Sequence, residues 1–357
     1  MTRHLITPSY YPSFKCKGSL CSENCCIGWE IDIDPLTEIR YGKAEGKIGE
    51  ELRKNIVKDG EVSHFCLKDG RCPFLDGQNL CRLIIERGEE LLCDICREHP
   101  RYYNRISSGA FAGVGLSCEA AAELILTEKE PLGFNLKNEA TRKEAEELIS
   151  SDTEGEDREI FALILDYLSE IEEMLVVEDS SRDACEKIIK SMVRLQSGID
   201  EISYGVAADE EDAFSSLQEE NSRQDINEAY GYLLSTLRSL DYLDGELLER
   251  ISAVRVDQVS EFYAKNPSFL GYLKRCALYF ADRYASGIFE DLDAVGRGNL
   301  IVLLTSVLCL LLTTVKEPTT ECAVRCSTLL SRELEYNEDN AERLKEADPK
   351  MIIGLLW

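Results

Sequence analysis

Ten cysteines lie between Cys16 and Cys118, and they are the residues of this 357-residue sequence best suited to chemistry. The early group reads Cys16-x4-Cys21-x3-Cys25-Cys26, and the middle group reads Cys66-x5-Cys72-x8-Cys81-x11-Cys93-x2-Cys96. Cys118 follows after 21 intervening residues. Thiolates are soft ligands for zinc, copper(I) and iron–sulfur clusters, and four of them complete a tetrahedral site or a cuboidal cluster. The N-terminus carries no apolar run of the length a secretory signal needs. Clustered thiols in that setting read as metal ligands or redox groups rather than disulfides. Cys16, Cys21, Cys25, Cys26, Cys72, Cys81, Cys93, Cys96 and Cys118 are therefore the candidate ligands. Cys93-x2-Cys96 is a chelating pair. Cys25 and Cys26, being adjacent, cannot easily face one ion, so one is read as a ligand and the other as packing or as serving a second centre. The other five cysteines (Cys185, Cys276, Cys309, Cys322, Cys326) are scattered and read as small buried hydrophobes.

Other chemistries find little support. The only histidines are His4, His64 and His99, and there is no HExxH, which argues against a His-rich catalytic zinc site. Redox chemistry at Cys93-x2-Cys96 lacks a thioredoxin-like βαβ context. Gly113-x-Gly115 reads as a tight turn before Cys118 rather than a nucleotide loop, and no P-loop, GxSxG or kinase set is present. Cys21-x3-Cys25 begins like the radical pattern CxxxCxxC, but Gly28 stands where its third cysteine would be.

The elements that must position these thiols fall into two textures, a cysteine-rich region over 1–130 and an acidic helical domain over 131–357. The fold class expected is mainly α, with an irregular cysteine-rich N-terminal metal-binding region packed on an all-α helical body. Gly and Pro punctuate the first region. There, Trp29–Asp34 alternates as a short strand ending at Pro35, and Thr37–Arg53 and Glu119–Glu128 read as helices. Arg82–Arg87 reads as a short strand or helix. Further helices are expected at Glu159–Val177, Arg182–Leu195, Asp225–Leu240, Gly245–Tyr263, Ser268–Gly287, Leu300–Val315 and Glu321–Leu334, with an acidic loop or frayed helix at Asp209–Gln224. Ile301–Val315 is too short for a bilayer span and reads as a buried core helix. The net charge is −27, of which residues 1–127 contribute only −3. So acidic a chain repels phosphate backbones, which argues against nucleic acid as a partner, and no membrane association is expected.

Several motifs occur together and in order. They are Tyr10-Tyr11-Pro12-Ser13-Phe14-Lys15-Cys16-Lys17-Gly18-Ser19 running into Cys21-x3-Cys25-Cys26-x2-Trp29, Gly70-Arg71-Cys72-Pro73-Phe74-Leu75-Asp76 followed by Leu80-Cys81, Leu92-Cys93-Asp94-Ile95-Cys96-Arg97-Glu98-His99-Pro100-Arg101, and Leu116-Ser117-Cys118-Glu119-Ala120-Ala121. This third of the sequence resembles the flagellin lysine-N-methylases, whose wider relatives are the CxxCxxCC cysteine-cluster proteins, described as zinc or iron chelators. The spacing here is looser than that name and closer to the methylase branch.

The resemblance implies a bacterial cytoplasmic enzyme that transfers methyl groups from S-adenosylmethionine to lysine ε-amines of flagellin. It also implies a 4Fe–4S cluster held by N-terminal cysteines. A lysine ammonium must first lose a proton. An open iron position would hold the amino and carboxylate groups of the methionyl moiety. Arg97 and His99, with Arg101 nearby, stand beside two ligands as candidates for contact with the cofactor, or as braces of the ligand loop. Trp29 reads as a pocket wall or as core, and Tyr279-Phe280-x2-Arg283-Tyr284 as a packed helix face with one snorkelling arginine. No catalytic residue is assigned. Zinc in place of the cluster, a non-catalytic zinc- or iron-binding protein, and an iron–sulfur oxidoreductase stay open as alternatives.

Overall fold

Two separate hydrophobic interiors organise the chain. The computed structural model describes residues 4–22, 24–106, 109–128, 133–150, 154–177, 181–205 and 226–355. The smaller interior has eleven buried side chains: Ile31, Ile33, Tyr41, Ile48, Leu52, Phe65, Cys72, Phe74, Leu83, Leu92 and Cys93. Cys26, Cys81 and Cys96 pack against it, so sulfur is part of the core of this lobe.

Short elements enclose it. Strand β1 (His4–Ile6) precedes the lobe, which contains β2 (Asp32–Ile33), α1 (Pro35–Lys43), α2 (Gly46–Lys54), the hairpin β3 (Ile56–Asp59) and β4 (Val62–Phe65), α3 (Arg82–Arg87) and α4 (Asp94–Glu98). The strands pair antiparallel in the order β2-β4-β3. The single helix expected over Thr37–Arg53 is two helices. Gly46 has φ +75°, a left-handed conformation through which an α-helix cannot run. Asp34 caps α1 by accepting from Thr37 N at 2.9 Å, and its other oxygen accepts from Asp94 N at 3.0 Å. One carboxylate thus joins the start of α1 to the start of α4, which carries Cys96.

The second sheet belongs to the larger interior. Strands β5 (Arg101–Ile106) and β6 (Gly109–Val114) form an antiparallel pair, and β1 adds parallel to β6. Sequence reading missed this hairpin because every residue of β6 is buried, so the strand lacks alternation. Gly113 lies inside β6 rather than in the turn expected there. Phe111 stacks on Phe289 and meets Phe134, which seats the sheet on the helices.

Those helices are α5 (Glu119–Thr127), α6 (Glu139–Ser150), α7 (Glu156–Val177), α8 (Ser181–Tyr204), α9 (Ile226–Arg238), α10 (Glu246–Ser252), α11 (Val259–Lys265), α12 (Pro267–Ala285), α13 (Ile288–Asp291), α14 (Ala294–Thr313), α15 (Thr320–Leu330), α16 (Glu338–Lys345) and α17 (Pro349–Ile352). The mainly-α expectation holds. Helix α14 runs through the middle of the body, packed on α8 and α12. It is long and apolar enough to cross a membrane, but 89% of its apolar window is buried against the other helices, as a core helix requires. The helix expected over Gly245–Tyr263 breaks into α10, a 3-10 turn and α11. The one expected over Glu321–Leu334 ends as a π-turn, Ser331–Glu335. The Asp209–Gln224 segment lies outside the described residues.

Gly113 sits where the Tyr102 phenol of the paired strand crosses β6, and a methyl group there would overlap the ring. Gly113→Ala should therefore destabilise the protein by about 1–3 kcal/mol, the usual cost of overpacking. A urea titration should show a lower midpoint with an unchanged slope.

Candidate metal centre and the junction beside it

All fifteen cysteines are free thiols. The candidate ligands fall into neighbouring sets. The Cys26 thiol stands within hydrogen-bonding reach of both Cys25 and Cys72, with one S–H to donate to either. This lowers both acceptors and raises Cys26, and the exposed Cys25 thiol comes down to about 7. Cys96 donates to Cys93 in the same way. Cys81 is close enough to feel Cys72 and Cys25, and Cys96 feels Cys72 and Cys81. Six thiols (Cys25, Cys26, Cys72, Cys81, Cys93, Cys96) thus share one neighbourhood, although they are spread over 72 residues of chain. A second set gathers where the N-terminal segment meets α5. Burial first, then Glu119 and the thiols of Cys118, Cys16 and Cys25, push Cys21 up to about 12. Glu119 fastens this segment by accepting from Ser22 N at 2.7 Å and from Lys17 Nζ at 3.2 Å. Cys66 is exposed and outside both sets.

Local structure turns several sulfurs towards N–H groups. Cys81, Cys93 and Cys118 are the N-cap residues of α3, α4 and α5. Leu83 and Ile84 N–H favour the thiolate of Cys81, Cys96 N–H that of Cys93, and Ala120 and Ala121 N–H that of Cys118. Phe74 and Leu75 N–H do the same for Cys72. Amide groups directed at sulfur stabilise the anionic form that binds metals and clusters.

Among the described residues, no three His, Cys, Asp or Glu side chains stand in a geometry that holds a metal ion. The donor set nonetheless fits a soft metal or cluster in its chemistry: free thiols, with backbone amides aimed at several of them.

Arg97 is a brace. Its guanidinium donates to Leu92 O at 2.7 Å and to Asp94 Oδ1 at 2.9 Å, closing the Cys93–Cys96 loop. His99 points elsewhere. Burial lowers it to about 4, so it is neutral at pH 7, and its Nε2 is buried without a hydrogen-bond partner. Its ring meets Trp29 at 6.1 Å and Tyr336 at 6.3 Å, while Trp29 and Tyr336 are 5.5 Å apart. The three rings join the cysteine lobe to the helical body. Arg101 lies over the Phe14 ring at 5.4 Å, away from this group.

Sequence reasoning did not find the body's share of this junction. Arg283 does not snorkel. Its guanidinium is 14% exposed, takes Tyr279 Oη at 2.7 Å and Glu335 Oε1 at 3.4 Å, and lies over the rings of Tyr102, Tyr284 and Tyr336. Glu335 is wholly buried, and its Oε1 also accepts from Tyr279 at 3.1 Å and Tyr284 at 3.0 Å. Arg332 stacks over Trp29 at 5.1 Å and lowers Cys25 further. Glu335 and Arg332 both sit on the π-turn, a feature frequent at functional sites. Nothing in the spacing could link residue 29 to residue 336, and only the aromatic run around Arg283 hinted at the place. A surface groove of about 380 Å³ between α6 and α7 is remote from these groups, and its Arg142 and Lys137 are paired with Asp166 and Glu173.

The fold and site define a mainly-α protein with a thiol-cored lobe clamped to a helical body. Comparison with known proteins supports the resemblance noted in the sequence. The chain is 28% identical over 143 residues to a protein named flagellar biosynthetic protein FliU from Salmonella muenchen, covering 38% of this chain and 84% of that protein. It is also 28% identical over 138 residues to proteins named lysine-N-methylase from Salmonella choleraesuis and Salmonella typhimurium. That match covers 36% of this chain and only 34% of each lysine-N-methylase. The likeness to the flagellin lysine-N-methylase family therefore extends over about a third of the chain. No family model and no solved structure matches.

Two measurements check the assignment of the thiols. Serine at Cys72, Cys81, Cys93 or Cys96 should lower metal per chain after anaerobic purification, whereas serine at the buried Cys185, Cys276 or Cys309 should not. In the metal-free protein, iodoacetamide should modify Cys25 increasingly as pH rises through about 7, because the thiolate is the nucleophile. Cys21, raised to about 12, should stay slow across that range. Peptide mass spectrometry reads both.

Proposed function

We propose that this chain is a protein-lysine N-methyltransferase that moves methyl groups from S-adenosylmethionine to lysine side chains of flagellin, in the bacterial cytoplasm, with a 4Fe–4S cluster held by the cysteine lobe. The observation that carries the reading is the similarity to proteins named lysine-N-methylase and FliU, together with motifs that in this chain draw six thiols into one neighbourhood.

Cys72, Cys81, Cys93 and Cys96 are the ligands expected for the cluster, with Cys26 and Cys25 next to them. Cys16, Cys21 and Cys118 form the flanking set. When bound, a cluster with an open iron position would supply a Lewis-acidic point in the cysteine lobe. The protein's own part is positioning. Arg97 fixes the Cys93–Cys96 loop, and His99 presents an unpartnered nitrogen at the junction with the helical body. Burial keeps His99 neutral, so it serves as a hydrogen-bonding group rather than as a carrier of charge. A structural zinc in the same thiols is the second reading, since a lobe with eleven core side chains needs a cross-link whether or not it catalyses.

Protein purified without oxygen should be brown, with iron and sulfide in equal amounts and little zinc. Incubated with S-adenosylmethionine and flagellin, it should add multiples of one methyl mass to flagellin lysines. A colourless zinc protein that leaves flagellin unmodified would rule this reading out.

A further inference from the structure

Among the described residues, six of the twelve buried side-chain polar atoms that lack partners lie around the junction of the two lobes. Trp29 Nε1, His99 Nε2, Tyr102 Oη, Ser117 Oγ, Ser331 Oγ and Glu335 Oε2 are all buried without a hydrogen-bond partner in the chain. They come from four stretches of chain, at residue 29, 99–102, 117 and 331–335; the last three meet near Gly115, and Trp29 joins them through its contacts with His99 and Tyr336. The Tyr336 hydroxyl, an Arg283 nitrogen and the Pro100 carbonyl all approach Gly115 so closely that a Cβ there would meet each of them. Leu116 N, beside Ser117, lies 3.3 Å from Tyr279 Oη, which in turn bonds Glu335. An orphaned buried polar group is costly, and several gathered together call for a partner that satisfies them.

Their chemistry says what. Trp29 Nε1 can only donate; Arg332 lies over its ring at 5.1 Å, and Arg283 supplies fixed positive charge over the Tyr336 ring that Trp29 meets. Glu335 keeps one carboxylate oxygen, Oε1, bound to Tyr279, Tyr284 and Arg283, and leaves Oε2 open to accept. A donor-rich, positive side facing a carboxylate oxygen complements a zwitterion, one carboxylate and one ammonium a bond or two apart. The faces of Trp29 and Tyr336 suit an adjoining onium centre.

We infer that this junction holds the α-amino-acid end of the methyl donor, with its carboxylate on Trp29 Nε1 in the field of Arg283 and its ammonium on Glu335 Oε2. The assignment rests on the methyltransferase reading and deepens it. It gives the methionyl head to side chains from both lobes rather than to a cluster iron, and it makes the two lobes one binding site.

The test uses the metal-loaded full chain and calorimetric binding of two nucleosides, S-adenosylhomocysteine, which has the amino-acid head, and 5′-methylthioadenosine, which lacks it. Wild type should bind the first at least tenfold more tightly. Trp29→Phe and Glu335→Gln should each erase most of that preference while binding 5′-methylthioadenosine as wild type does, which also shows that the variants are folded. If both variants keep the wild-type preference, or lose both ligands alike, the proposal is overturned. Methylation of flagellin by the wild type would in that case leave the broader function standing. If the wild type binds neither nucleoside, both fall together.

Discussion

The structure depends on sulfur being part of a hydrophobic core. The cysteine lobe encloses eleven buried side chains, two of them Cys72 and Cys93, with Cys26, Cys81 and Cys96 packed against the rest. So small an interior gains little from burial beyond the cost of ordering its loops. Its strands are two to four residues long and its longest helices nine. Thiols in that position are held near one another before any metal arrives. Amides at three helix starts favour their anions, and Asp34 ties two of the helices together.

The second constraint is the buried Arg283–Glu335 pair. Removing charges from water is expensive, and a pair of this kind survives only when further hydrogen bonds satisfy it. Tyr279 and Tyr284 do so, and the aromatic faces around Arg283 replace part of its hydration. The same few residues reach the cysteine lobe. Tyr336 follows Glu335 in the chain and meets Trp29 and His99, while Arg332 lies on Trp29. The π-turn allows this, because widening the last turn of a helix redirects its side chains away from the regular heptad face. Charge, aromatic contact and backbone irregularity are thereby concentrated where the two interiors abut.

Sequence patterns read well where one face of one element decided the outcome. The amphipathic helices α7, α8, α9 and α12 lie where their apolar periods place them, because burial on one side of a cylinder leaves a repeat in the sequence, and α14 is marked by its unbroken apolar run. Patterns failed where burial was complete or local. Strand β6 has no exposed side to mark it, and the break between α1 and α2 turns on the backbone freedom of Gly46. Arg283 misled for a related reason. An arginine on an apolar helix normally reaches for water, and only the fold shows that a glutamate 52 residues later meets it inside.

By itself, the sequence determined the kind of chemistry this protein can do. Residue type alone makes ten clustered thiols soft ligands, and their order along the chain carries the likeness to the methylases. Tertiary structure alone decided which thiols are neighbours, and that Trp29 and His99 end beside Tyr336 and Glu335. The reason is physical. A ligand's affinity for metal is a property of one side chain, whereas a site is a set of distances, and those distances are set by how two hydrophobic interiors close against each other.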